Sequence, residues 1–132
     1  MEGRVVAITG GASGIGLSTA RLVASMGAKV SVADVCDQEE LDRALSTIQG
    51  SAQSKSDVMT CSCDVSVAKQ VTEWLEVTKK KWDRIDHVVN AAGVWSESEI
   101  GKIKKVDWDR IIAVNIEVRA RQCRSISIER SN

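Results

Sequence analysis

The sequence contains no tyrosine, no phenylalanine and no proline, and it has a single histidine. Without tyrosine there is no phenol to give or take a proton at a reacting hydroxyl. Without proline no strand edge is blunted by a residue that cannot donate to a ladder. Four tryptophans are the whole aromatic complement. The lone His87 excludes a histidine-rich metal centre, and Cys36, Cys61, Cys63 and Cys123 show no paired metal-ligand spacing. Cys61 and Cys63 alternate within a strand pattern and read as small apolar packing residues. There is no excess of either charge, 18 basic residues standing against 18 acidic. Nothing in that balance indicates nucleic acid or an anionic membrane as a partner. Neither a membrane-spanning apolar run nor a leader pattern is present, so the default expectation is a cytoplasmic location.

What is there suits one domain with a core, since 43% of the 132 residues are apolar. Short apolar runs at Arg4–Ile8, Lys29–Ala33, Val58–Cys63 and Ile85–Val89 read as buried strands. Helical stretches separate them: Leu17–Met26 closed by Gly27, a helix near Gln38, one over Val67, Val71, Trp74 and Leu75, and one carrying Asn115. Lys79, Lys80 and Lys81 suit the C-terminal end of the third helix. Strands alternating with helices imply right-handed crossovers and an α/β fold, a doubly wound parallel sheet in the order 3-2-1-4.

The first strand runs into Thr9-Gly10-Gly11-Ala12-Ser13-Gly14-Ile15-Gly16 and then directly into a helix. Glycines at such a turn leave no side chain between an anion and the first helical amides, so Gly10, Ser13, Gly14, Ile15 and Gly16 read as a phosphate cradle. The alternative is a glycine-rich turn without a ligand. Asp34 ends the second strand 18 positions after Gly16, close to the ~20-residue offset of a ribose-binding acid. Its carboxylate suits two ribose hydroxyls and opposes a 2′-phosphate, and no Arg or Lys lies between Gly10 and Gly16 to offset it. The bland alternative is a solvated strand end or a cap of the helix near Gln38.

The Thr-Gly-x-x-x-Gly-Ile-Gly pattern resembles that of the short-chain dehydrogenase/reductase family, over about Gly3 to Ile116. Three further matches occur in order. Asp64-Val65 resembles the family's adenine-contacting acid and its apolar neighbour, with Asp64 or Ser66 as a helix cap the alternative. Asn90-Ala91-Ala92-Gly93 resembles its Asn-Asn-Ala-Gly element, with Ala91 replacing the second Asn and a tie between strands as a structural role for Asn90. Asn115 resembles the helical Asn of a catalytic tetrad. The resemblance implies the N-terminal half of a Rossmann-like fold, an NAD(P)-dependent oxidoreductase, NAD as cofactor in preference to NADP, and a small alcohol or ketone as substrate.

The tetrad's other members have no match. No lysine follows Lys105, so Asn115 lacks the partner of its family role. It also shares a helical face with Trp108, Ile111 and Ile112, which points it to a packing and hydrogen-bonding role in the core. His87 lies within a strand and reads as structural. Residues 1–116 therefore read as a dinucleotide-binding region, and 117–132 as a divergent Arg- and Ser-rich tail, from a truncation, a frame change or simple fraying. Ser125 and Ser127 come too soon after Asn115 to serve as the tetrad serine. These readings leave three expectations: a catalytically incomplete dehydrogenase, a non-catalytic NAD- or adenosine-binding module, or an interaction subunit. The fourth strand, Ile85–Asn90, would present an apolar edge open to self-association.

Overall fold

A computed structural model describes residues 1–117. The elements are β1 (Val5–Thr9), α1 (Gly14–Ser25), β2 (Lys29–Asp34), α2 (Gln38–Gln49), β3 (Val58–Ser62), α3 (Ala68–Trp82), β4 (His87–Asn90) and α4 (Lys105–Ile112). Short 3-10 turns at Lys55–Asp57 and Ile100–Lys102 punctuate the connections, and a π-helical turn, Ala113–Glu117, continues α4. The four strands form one parallel sheet in the order β3-β2-β1-β4. This is the order expected from the alternation of strands and helices. The readings placed on the tail, including Cys123, Ser125 and Ser127, lie outside the described residues.

β1 is the centre because it is apolar on both faces. Val5, Val6, Ala7, Ile8 and Thr9 are all buried. Val6 and Ile8 face a layer with Ala20 and Ala24 of α1, Val30 and Val32 of β2 and Ile48 of α2. Ala7 belongs to the opposite layer, with Ala33, Cys63, Val71, Trp74 and Leu75. Small residues at 20 and 24 let α1 lie close to the sheet. α2 is started by Asp37, whose carboxylate accepts from the Glu40 amide at 2.9 Å, and it buries Leu41, Ala44 and Ile48.

α3 departs from the expected stripe at both ends. Val67 precedes the helix and is 40% exposed, whereas Thr78 is fully buried. The reason is a polar contact within an otherwise apolar interface. Trp74 Nε1 donates to Ser31 Oγ at 2.8 Å, Ser31 and Thr78 hydroxyls lie 2.7 Å apart, and Thr78 Oγ1 donates to the Trp74 carbonyl at 2.9 Å. The loop of bonds closes on itself and gives each of these buried hydroxyls and the indole N–H a partner. At the end of α3, Lys79, Lys80 and Lys81 occupy the last turn as expected, and Asp83 takes the left-handed conformation at φ 59°.

The bottom of the sheet is fastened by Asp86, a residue no sequence pattern singled out. Its carboxylate accepts from the Val5 amide at 2.8 Å, from Arg4 Nη1 at 3.0 Å, and from Arg84 through both Nε and Nη2. The Asp86 amide in turn donates to the Val5 carbonyl at 2.9 Å. Hydrogen bonds from Arg84 hold the carboxyl well below the ordinary carboxylate range against the opposing effect of burial, and Val5 and Arg4 add to them. A depressed folded-state pKa gives stability that is full above the unfolded value, about 4, and lost as pH falls through the folded one. Asp86→Ala is expected to cost about 1–2 kcal/mol at neutral pH, largely through the orphaned Val5 amide. Urea unfolding below pH 4 should then show a shallower loss of stability in the variant than in the parent; parallel acid limbs would refute the assignment.

Candidate functional site

The site begins where β1 runs out. Gly10 donates its amide to the Ala33 carbonyl at 2.8 Å, and Ala91 donates to the Thr9 carbonyl at 3.2 Å. The chain thus turns between the ends of β2 and β4. Gly10 sits at φ 65°, and a Cβ there would lie 2.6 Å from both the amide nitrogen and Cα of Ala92. A Cβ on Gly16 would come 2.1 Å from the Gly10 carbonyl oxygen, so α1 starts directly against the turn. Both glycines are required by close approach of backbone to backbone.

The amides at the start of α1 are available. The first intrahelical bond runs from the Leu17 amide to the Ser13 carbonyl at 2.9 Å, so those of Gly14, Ile15 and Gly16 precede the ladder. Ser13 is the N-cap residue but makes no side-chain cap bond, and no acid occupies the first turn. Nothing lies within 4 Å of the position a Cβ would take on Gly14. The result is an open concavity bordered by helical amides with a partial positive charge, which fits an anion such as a pyrophosphate.

Asp34 stands at the tip of β2. Its Oδ2 accepts from the Ala12 amide at 2.9 Å and its Oδ1 from the Val35 amide at 2.8 Å. α2 is capped by Asp37 instead, so the capping alternative for Asp34 does not hold. The carboxylate keeps lone pairs for further donors. Beside it a smaller cavity of about 210 Å³ is lined by Asp34, Cys36, Glu40 and Arg43 among others. Burial, helped by Asp34, raises the Cys36 thiol pKa, which keeps it protonated and a poor nucleophile.

Asp64 closes a turn ahead of α3. Its Oδ1 accepts from the Ser66 amide at 2.9 Å and the Ser66 hydroxyl at 2.7 Å, while its own amide donates to Gln70 Oε1 at 2.7 Å. The N-cap of α3 is Val67, without a side-chain bond, so Asp64 caps the turn and not the helix. Bonds to its carboxylate among the described residues all run to Oδ1, leaving Oδ2 for another donor. Val65 is 7% exposed and belongs to the same apolar cluster as Val114. Cys63, in that cluster, has its thiol pushed up to about 11 by burial, consistent with the expected packing role.

One cleft of about 650 Å³ gathers Gly10, Ser13, Gly14, Ile15, Gly16, Asp34, Asp64, Val65, Ala91 and Gly93. Two sequence-derived candidates stay out of its lining. Asn90 has a buried Oδ1 with no donor among the described residues, so the expected side-chain tie is not made through that atom. Asn115 directs both polar atoms at one residue: Oδ1 accepts from the Val94 amide at 2.9 Å and Nδ2 donates to the Val94 carbonyl at 2.8 Å. His87 is exposed and likewise lies outside the cleft.

The expected core face of α4 needs correction. Trp108 is 53% exposed and α4 itself carries no buried residue, whereas Val114 is buried. For Val114 and Asn115 the π-helical turn explains the change, because a wider turn rotates the residues within it out of phase with a 3.6-residue stripe. It turns Val114 into the core and Asn115 toward Val94. The cleft also takes in Val35, Ser66, Ala92, Val94, Trp95, Arg110 and Val114, which sequence reasoning did not nominate. Only the Arg110–Val114 spacing of four carried a signal, and the π turn could not be read from it.

Known proteins share this fold. The short chain dehydrogenase family model matches residues 4–127. This chain belongs to the short-chain dehydrogenase family. The match continues past Ile116, where the sequence motifs end. Tropinone reductase-like 2 of Erythroxylum coca is 38% identical over 120 residues, which cover 88% of this chain and 41% of that protein. A short-chain dehydrogenase/reductase of Burkholderia phymatum in complex with NAD superposes with a TM-score of 0.87 at 28% identity, covering 96% of this chain and 43% of that one. A metagenomic short-chain oxidoreductase in complex with NADP superposes at 0.83 and 29% identity, covering 94% and 55%. The chain spans less than half the length of the curated relatives it matches. No group of His, Cys, Asp and Glu among the described residues is arranged to hold a metal. No helix among them is long and apolar enough to cross a membrane.

The bidentate bond from Asn115 fixes the loop that walls the cleft after β4. Asn115→Ala leaves the Val94 amide and carbonyl without their side-chain partner, at an expected cost of about 1–2 kcal/mol. Hydrogen exchange at the Val94 amide should accelerate in the variant. An unchanged exchange rate there would rule out the lock.

Proposed function

We propose that the chain is the dinucleotide-binding half of an NAD-dependent oxidoreductase of alcohols and ketones, and that these 132 residues hold the nucleotide without turning substrate over alone. The observation that carries the reading is the meeting of two unlike groups in one cleft: the free amides that open α1 and the carboxylate of Asp34. The amides and Ser13 would hold the pyrophosphate, and Asp34 would accept the adenosine ribose hydroxyls. Asp64 Oδ2 would accept the adenine amine, with Val65 and Val114 against the ring. The nicotinamide cofactor supplies or accepts the hydride when bound.

NAD is preferred because a 2′-phosphate would meet the Asp34 carboxylate. Proton exchange at a carbinol hydroxyl needs a positioned acid or base, and the sequence offers no tyrosine and no lysine after Lys105. With both polar atoms on Val94, Asn115 acts as a positioning residue. That commitment also favours a second reading, a non-catalytic NAD- or adenosine-binding module. In either reading the protein works in the cytoplasm, and β4, at the edge of the described sheet, offers a surface for self-association.

Calorimetric titration of NAD, NADP and ADP-ribose separates these readings. NAD should bind at least about tenfold more tightly than NADP, ~1.4 kcal/mol. Asp34→Asn, which keeps an acceptor for the Ala12 amide but removes the charge, should narrow that ratio to roughly threefold or less. Equal affinity of the parent chain for NAD and NADP would exclude the role given to Asp34. ADP-ribose binding within about tenfold of NAD favours the module.

A further inference from the structure

Arg110 is the one cationic side chain among the described residues that line a cleft also holding two carboxylates, Asp34 and Asp64. It is exposed, in the last turn of α4. Val114, four residues on, lines the same cleft and is buried in the cluster that contains Val65. Val65 and Val114, both buried, line one slot of this cleft with Asp64 and Ser66, and Arg110, exposed, borders the same cleft from its solvent side.

A slot of this composition suits a purine: apolar on its faces and an acceptor, Asp64 Oδ2, at its edge. We propose that Arg110 closes it, its guanidinium stacking on the adenine ring of the bound nucleotide. A planar cation over an aromatic face gains electrostatic attraction from the ring and shields it from water. Neither the family motifs nor the glycine turn assigns this residue a role. The inference rests on the proposed nucleotide reading and makes Arg110 a further cofactor-binding residue at the adenine end.

The test is titration of the full chain and its Arg110→Ala variant with ADP-ribose and with adenosine, which has no phosphate. Stacking predicts that both ligands weaken by the same factor, about three- to fivefold, ~0.7–1 kcal/mol. The unliganded variant should unfold at the parent temperature, because the side chain is exposed. A loss confined to ADP-ribose would mean that Arg110 meets a phosphate, and would overturn the proposal. So would a change under about 1.5-fold for both ligands while Asp34→Ala still weakens ADP-ribose. Failure of the parent chain to bind either ligand would overturn the nucleotide reading itself and this inference with it.

Discussion

The approach of Gly10 to Ala92 is the constraint on which the rest of the site depends. With a methyl group's position at Gly10 only 2.6 Å from the Ala92 backbone, the ends of β1 and β4 cannot be brought together by any other residue without displacement. The Ala91 bond to the Thr9 carbonyl depends on that proximity, as does the weaker one from the Ala92 amide to Thr9 Oγ1 at 3.4 Å. Because Gly16 abuts the Gly10 carbonyl, the same contact fixes where α1 begins. The direction in which the helix presents its free amides is thus set by backbone packing at the top of the central strand.

Much of this was legible because each feature has a local cause. The apolar runs of β1 and β2 mark strands covered on both faces, and the glycine turn marks the strand-to-helix passage. Alternation of the two element types then leaves few topologies, and 3-2-1-4 is the one adopted. Gly10, Asp34, Asp64 and Ala91 converge because each sits at or just past the carboxyl end of a parallel strand, a place dictated by topology.

What escaped the sequence depends on contacts between distant segments or on backbone irregularity. Ser31 looks like a polar interruption in β2, yet it is the acceptor that lets Trp74 bury its indole N–H. Thr78, which the sequence did not single out, completes the same loop through its hydroxyl. Asp86 resembles any surface acid near a strand start, and only the pairing of β1 with β4 brings the Val5 amide to it. The π-helical turn is harder still, since an extra residue in a helical turn leaves no mark on apolar periodicity beyond a phase error. That phase shift is what turns Val114 to the core.

In the proposed reading the carboxylate of Asp34 joins folding to specificity. Its Oδ2 holds the Ala12 amide, in the middle of the turn that shapes the anion cradle, while the same group faces the region where a ribose would lie. A change that removes the charge to admit a 2′-phosphate also removes an acceptor from the turn, unless the new side chain can take that amide. Asparagine can, and alanine cannot. The same fold is found with NAD in one relative and NADP in another, so the scaffold tolerates either nucleotide. On the proposed reading that choice falls to the side chain at the tip of β2, subject to the condition that the glycine turn keeps its acceptor.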